Sequence, residues 1–169
     1  MKLTDLLLPD FDGEMAHTRR TLERVPGDRL GWKPHPKSGT MGWLATHVAR
    51  LPSWASMAIE KDSLDLSPGG APPRPPAPAQ STEELLEIFD GNASAARRLL
   101  AEASDERLLG PWTLLKTGKT LFTMTRIAVI RNFVLHHIVH HRAQLGVYLR
   151  LNDVPLPAIY GPSADEGGM

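Results

Sequence analysis

The sequence predicts an all-α fold of four principal helices, and three observations carry that expectation. Apolar residues recur at steps of three and four along four stretches of the chain, the spacing of a helix face turned to a core. The strand signal is limited to Trp112-Thr113-Leu114-Leu115 and Thr120-Leu121-Phe122-Thr123, which flank Lys116-Thr117-Gly118-Lys119 and suggest a short β-hairpin before the last helix. A long proline-rich crossover separates the first two helices from the last two.

The first helix is expected over residues 8–25, where Leu8, Phe11, Met15, Thr18, Leu22 and Val25 mark one face. Pro9 suits its first turn, where an N–H has no partner anyway. Pro26-Gly27-Asp28 ends it, and Trp32-Lys33-Pro34-His35-Pro36-Lys37-Ser38-Gly39 is a connecting loop. The second helix begins near Thr40 or Met41 and carries His47 on the stripe of Trp43, Leu44, Leu51, Trp54 and Ala58. Pro52 cannot donate to the Val48 carbonyl and kinks or breaks it. Residues 66–80 form an extended, partly polyproline II linker, long enough to cross the molecule. Ser81 and Glu84 have capping-box spacing and open the third helix, whose face is Leu85, Phe89, Ala93, Ala96, Leu100 and Ala103 and which ends near Ser104. The fourth runs over about residues 123–151, closed by Asn152-Asp153 with Pro155 and Pro157 beyond. Its apolar positions cover more than half its circumference, so it packs on several sides, and a homodimer contact is one way to supply the cover.

With 169 residues the chain fits one domain, 1–169, with a core of its own. Lys plus Arg and Asp plus Glu both number 19, giving formal net charge +0, so the basic footprint of a nucleic-acid or anionic-membrane binder is missing. The absence of cysteine excludes disulfides, zinc-thiolate sites and a cysteine nucleophile. The first ten residues are too short and acidic for a signal peptide, and no apolar run reaches transmembrane length. The expectation is a soluble cytoplasmic protein with a small-molecule substrate, no nucleic-acid partner and no membrane.

Chemistry concentrates in Asn132-Phe133-Val134-Leu135-His136-His137-Ile138-Val139-His140-His141-Arg142-Ala143-Gln144-Leu145, which holds four of the seven histidines. At about 100° per residue, His137 and His141 fall on the inward stripe with Ile130, Phe133, Val134 and Tyr148. His136 and His140 share the spacing but lie at its edge. Two imidazoles one turn apart can converge on one divalent ion, and inward-facing His47 is the third candidate. A lone histidine of this kind is more often a satisfied core residue; three together, two at ligand spacing, favour a metal. Gln144 and Tyr148 share the histidine face and are candidates for lining the site. Arg142 is expected at the surface or an interface, Trp43 and Trp54 in the core. Glu14-Met15-Ala16-His17 matches one Glu-x-x-His element of a di-iron bundle, but its counterparts are absent and His17 is expected in solvent.

The run His137-Ile138-Val139-His140-His141-Arg142-Ala143-Gln144-Leu145, with His47 upstream and Tyr160-Gly161-Pro162-Ser163-Ala164-Asp165-Glu166 downstream, resembles the DinB-like (DinB/YfiT) superfamily, whose members are regarded as metalloenzymes. The likeness covers nearly the whole chain. It implies an up-down-down-up four-helix bundle with a divalent metal, usually zinc or nickel, held by His47, His137 and His141. The activities it implies are S-transfer from low-molecular-weight thiols, isomerisation of thiol adducts, and hydrolysis. Residues 137–141 read His-Ile-x-x-His, lacking the glutamate of a zinc peptidase's His-Glu-x-x-His. The expected function is therefore a metal-dependent thiol S-transferase or hydrolase, the alternative a non-catalytic, metal-stabilised stress-response bundle or dimeric binding protein.

Overall fold

Apolar stripes become helices over most of their expected length. The computed structural model describes residues 1–72 and 76–167. Its helices are α1 (Leu3–Leu22), α2 (Met41–Arg50), α3 (Ser53–Glu60), α4 (Thr82–Glu102), α5 (Asp105–Leu109), α6 (Arg126–Ile130) and α7 (His137–Arg150). The strands β1 (Ser63–Asp65), β2 (Pro111–Lys116) and β3 (Lys119–Thr125) form one small sheet beside this mostly helical body.

The caps explain the starts. The Thr40 hydroxyl accepts from the Trp43 N–H at 3.1 Å, and that of Ser81 accepts from the Glu84 N–H at 3.1 Å; such a cap contributes about 1 kcal/mol. α1 begins earlier than expected, at Leu3, because Asp105 accepts the Leu3 N–H at 2.9 Å and Thr4 and Leu7 extend the buried face. Pro9 consequently lies inside the helix rather than in its first turn, and the helix stops at Leu22 rather than Val25. Pro52 breaks the second helix outright: α2 ends at Arg50, whose carbonyl accepts from the Ser53 hydroxyl at 2.8 Å. α4 ends at Glu102 and the short α5 follows, an element the periodicity did not separate.

The hairpin is present, β2 and β3 pairing antiparallel through a turn at Thr117 and Gly118, both with positive φ (54° and 72°). Only glycine takes such a φ without cost, so Gly118 suits the position. The unforeseen strand β1 pairs parallel to β2, held by Asp65, whose carboxylate accepts from the N–H groups of Ser67, Thr117 and Gly118 at 2.7–2.9 Å. These hydrogen bonds hold its carboxyl below the usual carboxylate range. Of the crossover, residues 73–75 lie outside the described residues; Ala79, at its far end, is buried.

α4 packs on α1, α2 and α3, while α7 packs on α1 and α2 and α6 packs on α3. Phe11, Met41, Leu85, Phe89, Leu100, Ile130, Ile138 and Leu145 are fully buried between them. The expected last helix is present from α6 to α7 but is not uniform: residues Arg131–His136 form a π-helical segment. Beyond α7 the chain folds back, Glu166 meeting Arg20 and Arg24 at 2.5 Å and Asp165 pairing with Arg150. No helix among the described residues is long and apolar enough to cross a membrane.

Candidate metal centre

α2 and α7 pack together so that His47 faces the first turn of α7, where His137 and His141 stand one turn apart. The His137 and His141 Nε2 atoms are 2.9 Å apart, and those of His137 and His47 are 3.4 Å apart. All three residues offer a ligand nitrogen within 4.8 Å of the others. Nitrogens about 2.0–2.1 Å from a tetrahedral ion lie roughly 3.3 Å from each other. The spacing fits one divalent metal.

Tautomers support the fit. The Gln144 side-chain oxygen lies 2.7 Å from His141 Nδ1 and can only accept, so that nitrogen carries the proton and Nε2 presents a lone pair. At 2.9 Å from His137 Nε2, that lone pair is met either by the Nε2–H of the neutral His137 tautomer or by a cation. Protonation is disfavoured: burial, then the neighbouring His141 and His137, push His47 down to about 4. Burial also lowers His137 and His141, the Gln144 hydrogen bond opposing it at His141. A metal answers the same lone pairs.

The surroundings differ from expectation in three places. Trp43 is not core: it is 46% exposed and stacks on the His47 ring, centroids 5.5 Å apart and planes within 5°. Its i, i+4 spacing to His47 was visible in the sequence, but not that this stripe leaves the core at its end. Trp54 does pack inward, stacked on Phe133 at 5.8 Å. Arg142 is not a surface residue: it is 4% exposed, 2.7 Å from the Glu14 carboxylate, and its guanidinium donates to the Tyr160 hydroxyl at 2.6 Å. Glu14 also accepts from the Tyr160 hydroxyl at 2.5 Å. His17 is half-buried against the Tyr160 ring at 5.2 Å rather than in solvent. Glu14 and His17 thus belong to a structural cluster pinning the C-terminal segment, apart from the three histidines.

Gln144 bridges two histidines, its amide nitrogen lying 3.1 Å from His140 Nε2. Tyr148 packs edge-on against Trp32 at 5.6 Å, and its hydroxyl donates to the Gly39 carbonyl at 3.4 Å. His140 is exposed beside His141, ring centroids 4.8 Å apart, and His136 is exposed.

The whole chain resembles two solved structures. A DinB-like protein from Bacillus subtilis superposes with a TM-score of 0.69 at 18% identity, over 93% of this chain and 99% of that one. A DinB-like protein from Bacillus cereus gives 0.70 at 18%, over 90% and 95%. Likeness at this identity speaks to the fold alone. No curated protein matches the chain. The sequence profile of the DinB superfamily matches residues 10–145, which include all three histidines, and the chain belongs to the DinB superfamily.

Proposed function

We propose that His47, His137 and His141 hold one divalent metal ion, zinc or nickel, and that the protein is a metal-dependent enzyme of low-molecular-weight-thiol S-transferase or hydrolase type. The observation that carries this reading is the convergence of three histidine nitrogens that no fourth His, Cys, Asp or Glu joins among the described residues. A bound ion with an open position supplies Lewis acidity, bringing a water's pKa to about 7 or holding a thiol as thiolate. The protein's own part is to hold the imidazoles. Gln144 keeps the His141 proton on Nδ1, and Trp43 covers one face of His47. Among the described residues no carboxylate joins the three histidines to act as general base, which favours thiol transfer over hydrolysis. The thiol would be the co-substrate's, since the chain has no cysteine.

The same reading takes α1, α2 with α3, α4, and α6 with α7 as the four members of an up-down-down-up bundle in one domain, 1–169. It assigns Gln144 and Tyr148 to the rim of the substrate site and the protein to the cytoplasm. A second reading, a metal-stabilised dimeric binding protein, is favoured by Val147 and Leu151, apolar residues 59% and 58% exposed at the end of the last helix.

Equilibrium titration with zinc and nickel tests the metal, in the wild type, His47→Ala and His137→Ala. One ion per chain, lost in both variants, is the expected result; no uptake by the wild type removes the reading. Water-proton relaxation of the nickel-loaded protein then separates the two functions, since an exchangeable bound water is required for the enzyme and absent from a closed structural site.

A further inference from the structure

We propose that the slot beside His47 is a carboxylate subsite, in which Arg50 binds the acid group of a small substrate whose other end meets the three-histidine centre. This rests on the reading of that centre as the place of reaction. Trp43, Thr46, His47 and Arg50 follow one another at i, i+3, i+4 and i+7, one face of α2, and Pro76 and Pro78 of the crossover stand opposite, enclosing about 130 Å3. The crossover is fastened there: the Ala79 N–H donates to the buried Thr46 hydroxyl at 2.9 Å. The Arg50 Nη1 and Nη2 donate to the carbonyls of Pro76 at 3.1 Å and Ala77 at 3.2 Å.

Those two carbonyls position the guanidinium without neutralising it. Arg19, Arg97, Arg126 and Arg142 each meet a carboxylate; Arg50, half-buried, forms no ion pair among the described residues. A guanidinium carries five N–H donors, so donors remain after two carbonyls are served. The space suits a small acid. A slot of about 130 Å3 takes a carboxyl group on a short carbon chain. Trp43 and the two prolines offer apolar walls to those carbons, and one uncompensated positive charge matches a monoanion. A phosphate dianion would bring a second charge with no partner. His47 is common to both, lining the slot and offering a nitrogen to the centre.

The test is a titration of metal-free and zinc-loaded protein with butyrate, butyramide and inorganic phosphate, followed by the Trp43 indole N–H resonance, assigned with Trp43→Phe. Butyrate should shift that resonance in both forms and bind at least about tenfold more tightly than butyramide, the worth of one charge-assisted hydrogen bond. Arg50→Gln should erase the difference and Arg50→Lys, which keeps the charge, should retain part of it. Equal binding of acid and amide, binding of neither, or preference for phosphate overturns the proposal. So does butyrate binding confined to the zinc-loaded form and unchanged in Arg50→Gln, which would put the acid on the metal. Charge selectivity without zinc uptake leaves the subsite standing and removes the metal reading; zinc uptake without selectivity does the reverse.

Discussion

Glu14→Gln should be among the most destabilising single-atom exchanges available in α1. It swaps one carboxylate oxygen for an amide and leaves Arg142, 4% exposed, with neutral partners only: the Tyr160 hydroxyl, the Thr18 hydroxyl at 3.2 Å and the Glu14 carbonyl at 3.2 Å. Removing one partner of a buried ion pair costs about 3–5 kcal/mol, because the surviving charge stays desolvated. The Glu14 side chain is 17% exposed, so solvent moderates the penalty and the low end, about 3 kcal/mol, applies. For a chain of this size 1 kcal/mol moves Tm by roughly 2–4 °C, so a drop of about 6–12 °C is expected. Thermal melts and urea titrations by far-ultraviolet circular dichroism read it directly. Asp12→Asn, which opens the exposed pair with Arg97, is the control and should move Tm little. Glu14→Gln/Arg142→Met should recover most of the loss, since an empty pair of apolar shape costs less than half a pair. A Glu14→Gln loss no larger than the control's, or a double variant as unstable as the sum of the singles, refutes the assignment.

Metal affinity should depend on pH less steeply than ordinary histidines would make it. At pH 5.5 three unperturbed imidazoles of about 6.5 impose roughly a thousandfold loss, and a zinc titration should show far less, since all three histidines sit below that value. For the metal-free fold the sign is that of a depressed group: stability is full above about 6.5 and declines as pH falls from there through the His47 value of about 4, measurable by urea titration at stepped pH. Gln144→Ala should weaken zinc binding by about 10–100-fold with the fold intact, the usual cost of losing a group that orients a ligand, and unchanged affinity would return Gln144 to the substrate side. Gly39→Ala should lift Trp43 off His47, because a Cβ there would sit 2.5 Å from the Trp43 ring; an unaltered Trp43 indole resonance would contradict the stack.

Local patterns were readable wherever one element decides them. The helix start near Thr40, the cap at Ser81, the break at Pro52, the hairpin about Gly118 and the inward aim of His47, His137 and His141 all follow from spacing along a single segment. What the sequence hid depends on segments far apart. Arg142 reads as a surface residue because the groups that bury it, Glu14 and Tyr160, come from the first helix and from the chain beyond the last. β1 is three residues long and exists only because β2 lies beside it. Trp43 shares His47's apolar stripe, and only the packing of α2 on α7 shows that this end of the stripe opens to solvent. Arg50 was one charge among many until the crossover's carbonyls were placed on it.

The π-helical segment Arg131–His136 has a further consequence for how this centre could be gained or lost. A π turn accommodates one residue more than an α turn, and each residue is worth about 100° of rotation. Ile130 and Val134 on its near side and Ile138, Leu145 and Leu149 on its far side are all buried, so the core is served in both halves. The π turn takes up that extra residue within a single turn, so deleting one residue inside the segment would restore a plain α-helix with the hairpin side and the histidine side still facing their present neighbours. A residue inserted just before His137 with no such turn to absorb it would instead swing His137 and His141 by about 100° away from His47. The segment thus acts as a buffer for chain length: a relative one residue shorter there keeps the site, and one longer outside it keeps every histidine and loses the site.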